Sequence, residues 1–386
     1  MALFYVAGNG GVFFVLPLLA KGLTGDLMLV GLLVAVPNFV SMFLDVPVGG
    51  FSDYVGRRRL LCLGLVLMGF LGLMLPSITS FFSFVLFMVV FGIANQLILI
   101  SGRAFLMDVA PQGKTSEYFG ILESLAQIGF AVGPVVAGML IADKLDVGIF
   151  NVGVFYLVMC SIALVIVLAL KETVKCEKFA ESVKKLIKKD RLISRELIDF
   201  QGLGVGGLVV LFSTFIIVFI DGVVWTFEPL YTTLGIDTAT VGLILSMFVL
   251  PFIFFEVPAG ILADRFGKIR IFILGLVVAG IFLIVFGSAR TPLLLAASAF
   301  MATSGLALAR PALSGFLTDI SASKERGGIV GVWNVAEDFA YVTSPIAGGV
   351  IAELYGIGTT FMLVGILLLV SIPLMYLAVK KSGFCA

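Results

Sequence analysis

A chain of 386 residues that is 60% hydrophobic, 13% charged and of mean hydropathy +1.18 holds more apolar surface than one soluble core can hide, so much of it must face lipid. Histidine is absent, which excludes a His-based metal site, a His-containing triad and an imidazole proton shuttle, and leaves carboxylates as the only proton carriers. The net charge of +1 points to no acidic partner, and no basic patch is interleaved with aromatic residues as nucleic-acid binding requires.

A spanning helix needs about 20 mostly apolar residues. Breaking the chain at charges, glycines and prolines predicts twelve, at 2–21, 28–50, 60–78, 81–105, 117–141, 148–170, 204–230, 238–259, 271–289, 292–316, 328–352 and 358–379. The first run is too long for a signal peptide and lacks a basic flank and a small-residue cleavage site, so it reads as a membrane helix. Positive loops stay cytoplasmic, and with the N-terminus inside one face takes twenty of the 25 Lys and Arg residues. Lys21, Lys144 and Arg290 fall on the other face, and Arg103 and Arg310 lie within helices. Both termini are therefore expected on the cytoplasmic side of the cell membrane.

Between the second and third spans runs G-G-F-S-D-Y-V-G-R-R-R, from Gly49 through Asp53, Gly56, Arg57 and Arg58 to Arg59. A second copy, G-I-L-A-D-R-F-G-K-I-R, runs from Gly260 through Asp264, Arg265, Gly267 and Lys268 to Arg270, offset by 211 residues. The same offset relates Gly31 to Gly242, Asp45-x-Pro47-x-Gly49 to Glu256-x-Pro258-x-Gly260, Asp108 to Asp319, Gly120 to Gly331 and Pro134 to Pro345. A register unbroken over four helices means duplication of a six-helix unit. The predicted fold is an all-α polytopic membrane protein of two pseudo-repeats, residues 1–170 and 202–386, joined by a linker at 171–201. That linker carries nine basic and six acidic side chains, with Phe179, Val183, Leu186, Ile187, Ile193 and Leu197 on one helical stripe. The stripe suits a connector lying on an anionic leaflet.

The paired loops resemble the G-x-L-A-D-R-x-G-R-R signature between the second and third helices of the major facilitator superfamily. This resemblance covers essentially the whole chain and implies a transporter with its substrate site near the midplane between the halves. It implies that Asp53 engages the start of the eleventh helix, that Arg57 or Arg58 reaches Asp108, that Asp264 meets the start of the fifth helix, and that Lys268 or Arg270 lies near Asp319. Such contacts would hold the site outward-facing and break as it opens inward. The alternative is a topology signal made only of positive charge.

In the fifth span, Gly120, Gly129, Gly133-Pro134 and Gly138 resemble the family's antiporter motif G-x8-G-x3-G-P-x2-G-G, with Ala137 in place of one glycine. The other reading is small-residue helix packing, which Ser344-Pro345-x-x-Gly348-Gly349 illustrates in the eleventh span. Proton-coupled relatives often carry an arginine in the middle of the fourth helix. Here Val85 to Gln96 has no basic residue, and Arg103 lies nearer the helix end.

Buried acids narrow the search. Glu123, Asp221, Glu337 and Asp338 exposed to lipid together would cost about 10 kcal/mol, so they must face the interior. Glu123 with Gln127, Asp221 with Trp225 and Glu228, and Asn334 with Asp338 and Tyr341 form three polar stripes expected to converge on one cavity. Counting depth along the helices pairs Arg103 with Glu123 and Arg310 with Asp338, and leaves Asp221 without a basic residue at its level. Asp221 is therefore the first candidate for protonation, followed by Glu123, Asp338 and Glu337. Asp45 and Glu256 read as structural. Asn9, Asn95, Gln96, Gln127, Trp225, Asn334, Tyr341, Arg103 and Arg310 are candidate substrate contacts, and an aromatic face beside a carboxylate suits an organic cation.

Cys62, Cys160, Cys176 and Cys385 lack metal-ligand or disulfide spacing. Gly113-Lys114-Thr115 ends like a phosphate-binding loop, but Asp108 stands where that loop needs glycine. No nucleophile and base suggest an enzyme, and neither cofactor nor metal is expected. The leading expectation is a monomeric exporter that exchanges small amphipathic or cationic compounds for protons. Proton-linked or facilitative uptake of a metabolite, with Arg103 or Arg310 binding an anion, is the alternative. A non-transporting receptor or assembly protein on the same fold is a third.

Overall fold

The computed structural model describes residues 1–111, 114–141, 145–174, 204–320 and 326–381. Most of the predicted linker, its amphipathic stripe included, lies outside them. Thirteen α-helices are described: α1 Ala2–Thr24, α2 Leu27–Val55, α3 Arg57–Met74, α4 Phe81–Val109, α5 Thr115–Ile141, α6 Leu145–Ala169, α7 Gly204–Phe227, α8 Thr238–Met247, α9 Leu250–Phe266, α10 Lys268–Ser288, α11 Pro292–Ile320, α12 Arg326–Tyr355 and α13 Ile357–Lys381. They fill the twelve expected spans, because the eighth is made of α8 and α9 in sequence. Pro251 has no N–H to return to Met247, and its ring excludes that carbonyl. The chain bridges the break with short bonds from Phe248 to Leu245 (3.1 Å) and from Val249 to Ser246 (3.0 Å).

Eleven described segments are long and apolar enough to cross a membrane. The twelfth, α12, has 30 residues but carries Asn334, Glu337, Asp338 and Tyr341 along its middle, which lower its hydropathy.

Two compact units result. One holds α1–α6 together with Asp237–Leu243, and the other holds α7, the remainder of α8 and α9–α13. The opening turns of α8 group with the first unit because they sit on α5: the Thr238 hydroxyl donates to the Gly138 carbonyl at 3.0 Å, and Gly242 lies against Pro134.

Within each unit the helices pair in the same pattern. The first packs α1 on α5 and α6, α2 on α4, and α3 on α4 and α6; the second packs α7 on α12 and α13, α9 on α11, and α10 on α11 and α13. The 211-residue offset persists at the atomic level. Asp26 caps the N-terminus of α2 by accepting from the Met28 and Leu29 amides at 2.7 and 3.2 Å, and Asp237 caps α8 by accepting from the Thr240 amide at 2.9 Å. A Cβ at Gly64 would lie 3.0 Å from the Ala94 carbonyl, and one at Gly275 would lie 2.5 Å from the Gly305 carbonyl.

Candidate functional site

The signature loops are shorter than the sequence suggests. α2 continues to Val55 and α3 begins at Arg57, so one glycine joins them; Gly267 alone joins α9 to α10. Gly56 has φ 108° and Gly267 φ 97°, a backbone that side-chain-bearing residues rarely adopt. The residue after each glycine then caps a neighbouring helix. Arg57 donates to the Ala104 carbonyl near the end of α4, and Lys268 donates to the Gly315 carbonyl near the end of α11 at 3.2 Å. These pairs of positions are again 211 apart.

Arg57 also pairs with Asp108 at 2.6 Å and with Asp53 at 3.2 Å. Of the two arginines expected near Asp108, the structure selects Arg57. Arg58 instead donates to the Val167 and Leu168 carbonyls that close α6, at 3.3 and 2.6 Å, while Glu172 accepts from the Arg58 amide at 3.2 Å. Gly49 and Gly260 have room in this conformation, since an added Cβ would meet its nearest neighbour only at 3.9 Å. Asp264 and Arg265 are exposed, and the Asp319 side chain lies outside those described.

The glycines of α5 serve close packing. A Cβ on Gly129 would lie 2.7 Å from the Leu3 carbonyl and 2.9 Å from the Ala7 amide, and one on Gly133 would meet the Gly11 amide at 2.7 Å. The α1 and α5 backbones therefore touch directly. Gly138 and Pro134 meet the start of α8, whereas Gly120 faces open space with no atom within 4 Å of an added Cβ.

Inside the first unit the candidate amides bond to neighbouring side chains. Gln96 is buried and donates to the Asp45 carboxylate, Tyr5 donates to Asn95, and Tyr156 donates to Asn9 at 3.4 Å. Three of the candidate substrate contacts are thus held by neighbours within the bundle. Gln127 is half-buried, and Arg103 and Glu123 approach to 3.9 Å with both side chains about half exposed.

In the second unit the charges meet differently. Depth counting leaves Asp221 without a base and matches Arg310 to Asp338; the structure instead joins Asp221 of α7 to Arg310 of α11 as an ion pair. Counting along the axis misses this because a helical side chain leans toward its own N-terminus. α11 runs antiparallel to α7, so the long Arg310 side chain leans toward the far end of α7, where Asp221 stands. Gly222, beside Asp221, sits directly against Ser344 of α12.

The Arg310 guanidinium also lies over Phe252 of α9, 4.5 Å from the ring centroid, a cation–π arrangement. Glu256, Glu337 and Tyr341 are within its electrostatic reach, and Tyr341 is within reach of Asp221 and Asp338 as well. Trp333 donates to Glu337 at 2.7 Å. Trp225 and Asp338 are half-buried, and Asn334 is exposed. One arginine is thereby surrounded by carboxylates and aromatic rings drawn from α7, α9 and α12.

Two participants escaped the candidate residues, Phe252 and Glu228. Phe252 reads as one of many phenylalanines, and only its place beside Pro251 marks it. Glu228 shares the Asp221 stripe, but at the helix end no local pattern singles it out from its neighbours.

Such a molecule is a multi-pass helical membrane protein of two related units, with a cluster of ionisable groups inside one of them. The family model of the Major Facilitator Superfamily matches residues 1–209 and 210–383, and the chain belongs to that superfamily. It is a membrane transporter and not an enzyme. An uncharacterized MFS-type transporter of Methanocaldococcus jannaschii is 23% identical over 96% of this chain and 95% of its own. The quinolone resistance protein NorA of Staphylococcus aureus is 30% identical over a shorter stretch, 34% of each chain. A crystal structure of the peptide transporter POT in complex with sulfate matches 99% of this chain and 93% of its own with a TM-score of 0.78 at 15% identity, a likeness of fold.

Proposed function

We propose that this transporter exports small amphipathic or cationic compounds in exchange for protons, by alternating access. The observation that carries the reading is the Asp221–Arg310 pair in the second unit. Protonation of Asp221 discharges its side of the pair and frees Arg310, while a cationic substrate takes the place of Arg310 beside the ionised acid. Proton and substrate then compete for one carboxylate, the condition that exchange requires. Phe252 and Tyr341 offer aromatic faces next to that charge. The partial similarity to NorA, named for quinolone resistance, supports export. In this reading the protein is a monomer in the cell membrane with both termini cytoplasmic, and the paired loops gate the inner side.

A second reading, uptake of an anionic metabolite, is favoured by the Arg310 side chain, which is 28% exposed and sits over an aromatic ring. The deciding experiment follows internal pH in proteoliposomes holding an imposed proton gradient while lipophilic cations are added. Protons released through the native protein and not through Asp221→Asn support export. Proton flux parallel to an added anion, with no response to any cation, supports uptake instead.

A further inference from the structure

Beyond the Asp221–Arg310 pair, the end of α7 holds a second acid with different surroundings. Glu228 follows Phe227 directly, its side chain is 0% exposed, and neither carboxyl oxygen has a hydrogen-bond partner among the described residues. Tyr231, three positions later in the short helical turn Pro229–Leu234, is 3% exposed and its hydroxyl also lacks a partner. The turn itself is well bonded, because the Glu228 amide donates to the Val224 carbonyl at 3.0 Å and the Tyr231 amide donates to the Glu228 carbonyl at 2.9 Å.

Aromatic rings pack around Tyr231. Tyr231 packs on Phe286 of α10 and Phe361 of α13 with centroids 5.4 and 6.1 Å apart, and Phe248, at the α8–α9 break, packs on Phe286 at 5.0 Å. Arg290, in the connection from α10 to α11, is within electrostatic reach of the Tyr231 oxygen. No described cation forms an ion pair with Glu228, and Tyr231 is the titratable group beside it. An ionised carboxylate here gives up its hydration with neither an ion pair nor a hydrogen bond in return. A neutral carboxylic acid avoids most of that cost.

We propose that Glu228 is a proton-binding site of the transport cycle, separate from the Asp221–Arg310 pair. It holds a proton while the Tyr231 aromatic wall is closed and releases it to water when that wall opens. In that step the O–H bond of the Glu228 acid breaks, the proton passes to water, and the carboxylate left behind is hydrated. This proposal rests on the proton-coupled reading above. It places two acids about 10 Å apart along the axis of α7, one paired with an arginine and the other secluded without a hydrogen-bond partner.

Infrared difference spectroscopy of the reconstituted protein tests it without relying on transport. At neutral pH the native protein should show the C=O stretch of a protonated carboxylic acid that shifts in heavy water and is missing from Glu228→Gln. Glu228→Leu, which suits the same apolar surroundings, should lack it too, and Tyr231→Phe should keep it. Tetraphenylphosphonium added to the native protein should discharge the band. Absence of the band, its survival in both Glu228 variants, or a band that neither substrate nor rising pH discharges overturns the proposal. If rising pH discharges the band but no cation does, the proton site stands and the cation-export reading falls.

Discussion

The two units are copies in their frame and differ in their interior. Asp26 and Asp237 cap equivalent helices, Gly56 and Gly267 turn equivalent corners, and Arg57 and Lys268 reach equivalent carbonyls. Inside, the first unit is bonded through amides and phenols, with Asp45 held by Gln96, whereas the second holds an arginine against Asp221 and secludes Glu228. Position 96 plus the offset is Ala307, so the amide partner of Asp45 has no counterpart, and Glu256 faces Arg310 instead. The framework therefore fixes helix placement in both units, and the arginine–carboxylate cluster and the secluded acid lie in the second.

The largest effect should come from breaking the ion pair. Arg310→Leu leaves Asp221 without a partner, and losing one side of a buried pair costs about 3–5 kcal/mol, reduced here by partial exposure. Thermal unfolding in detergent should show a large drop in midpoint that adding Asp221→Asn partly restores. The matching change in the first unit, Gln96→Leu, leaves one acceptor short and should cost about 1–3 kcal/mol. Equal losses at the two sites would erase the contrast between the interiors.

Next come the corners. Alanine at Gly56 or Gly267 must adopt a positive-φ backbone outside the left-handed helical basin (φ 108°, ψ 131° and φ 97°, ψ 125°), at about 1–3 kcal/mol each. The two losses should agree closely if the corners are true copies, and the same unfolding assay reads them.

The caps follow, with Asp26→Ala and Asp237→Ala each lowering stability by about 1 kcal/mol. The bonds that Thr240 gives to Asp237 hold this carboxyl below its ordinary range. A carboxyl depressed by folding contributes stability that is complete above its unfolded pKa and is lost as pH falls through the folded one. The Asp237→Ala deficit should therefore be constant near neutrality and shrink in acid, as unfolding midpoints across pH would reveal. The smallest effect is expected at Gly49→Ala and Gly260→Ala. An added Cβ has 3.9 Å of clearance at each, and alanine favours the helix by about 0.5–1 kcal/mol. Melting points should hold or rise, so any transport defect in these variants reports on conformational change and not on folding.

Much of this frame is legible in the chain because apolar runs mark the spans and the 211-residue offset repeats glycines, prolines and acids in register. The capping of α4 by Arg57 was within reach for the same reason, since the loop is written twice. The interior was less legible. Which base Asp221 meets depends on the lean of Arg310 along its helix, a direction that residue counting leaves out. Glu228 hides in plain view, because its neighbour Tyr231 packs on Phe286 and Phe361, residues up to 133 positions from Glu228 that no local pattern connects to it. The break at Phe248 and Val249 was signalled by Pro251, which a count of apolar residues passes over.

The claim that coupling charge resides in the second unit is tested most directly by comparing Asp221→Asn with Asp45→Asn in the same proteoliposome preparation. Proton movement on addition of tetraphenylphosphonium is the readout, set against reconstituted protein of equal amount. The structure-based account predicts that Asp45→Asn keeps most of the native proton movement and that Asp221→Asn abolishes it. Retention of proton movement by Asp221→Asn with loss in Asp45→Asn would contradict it.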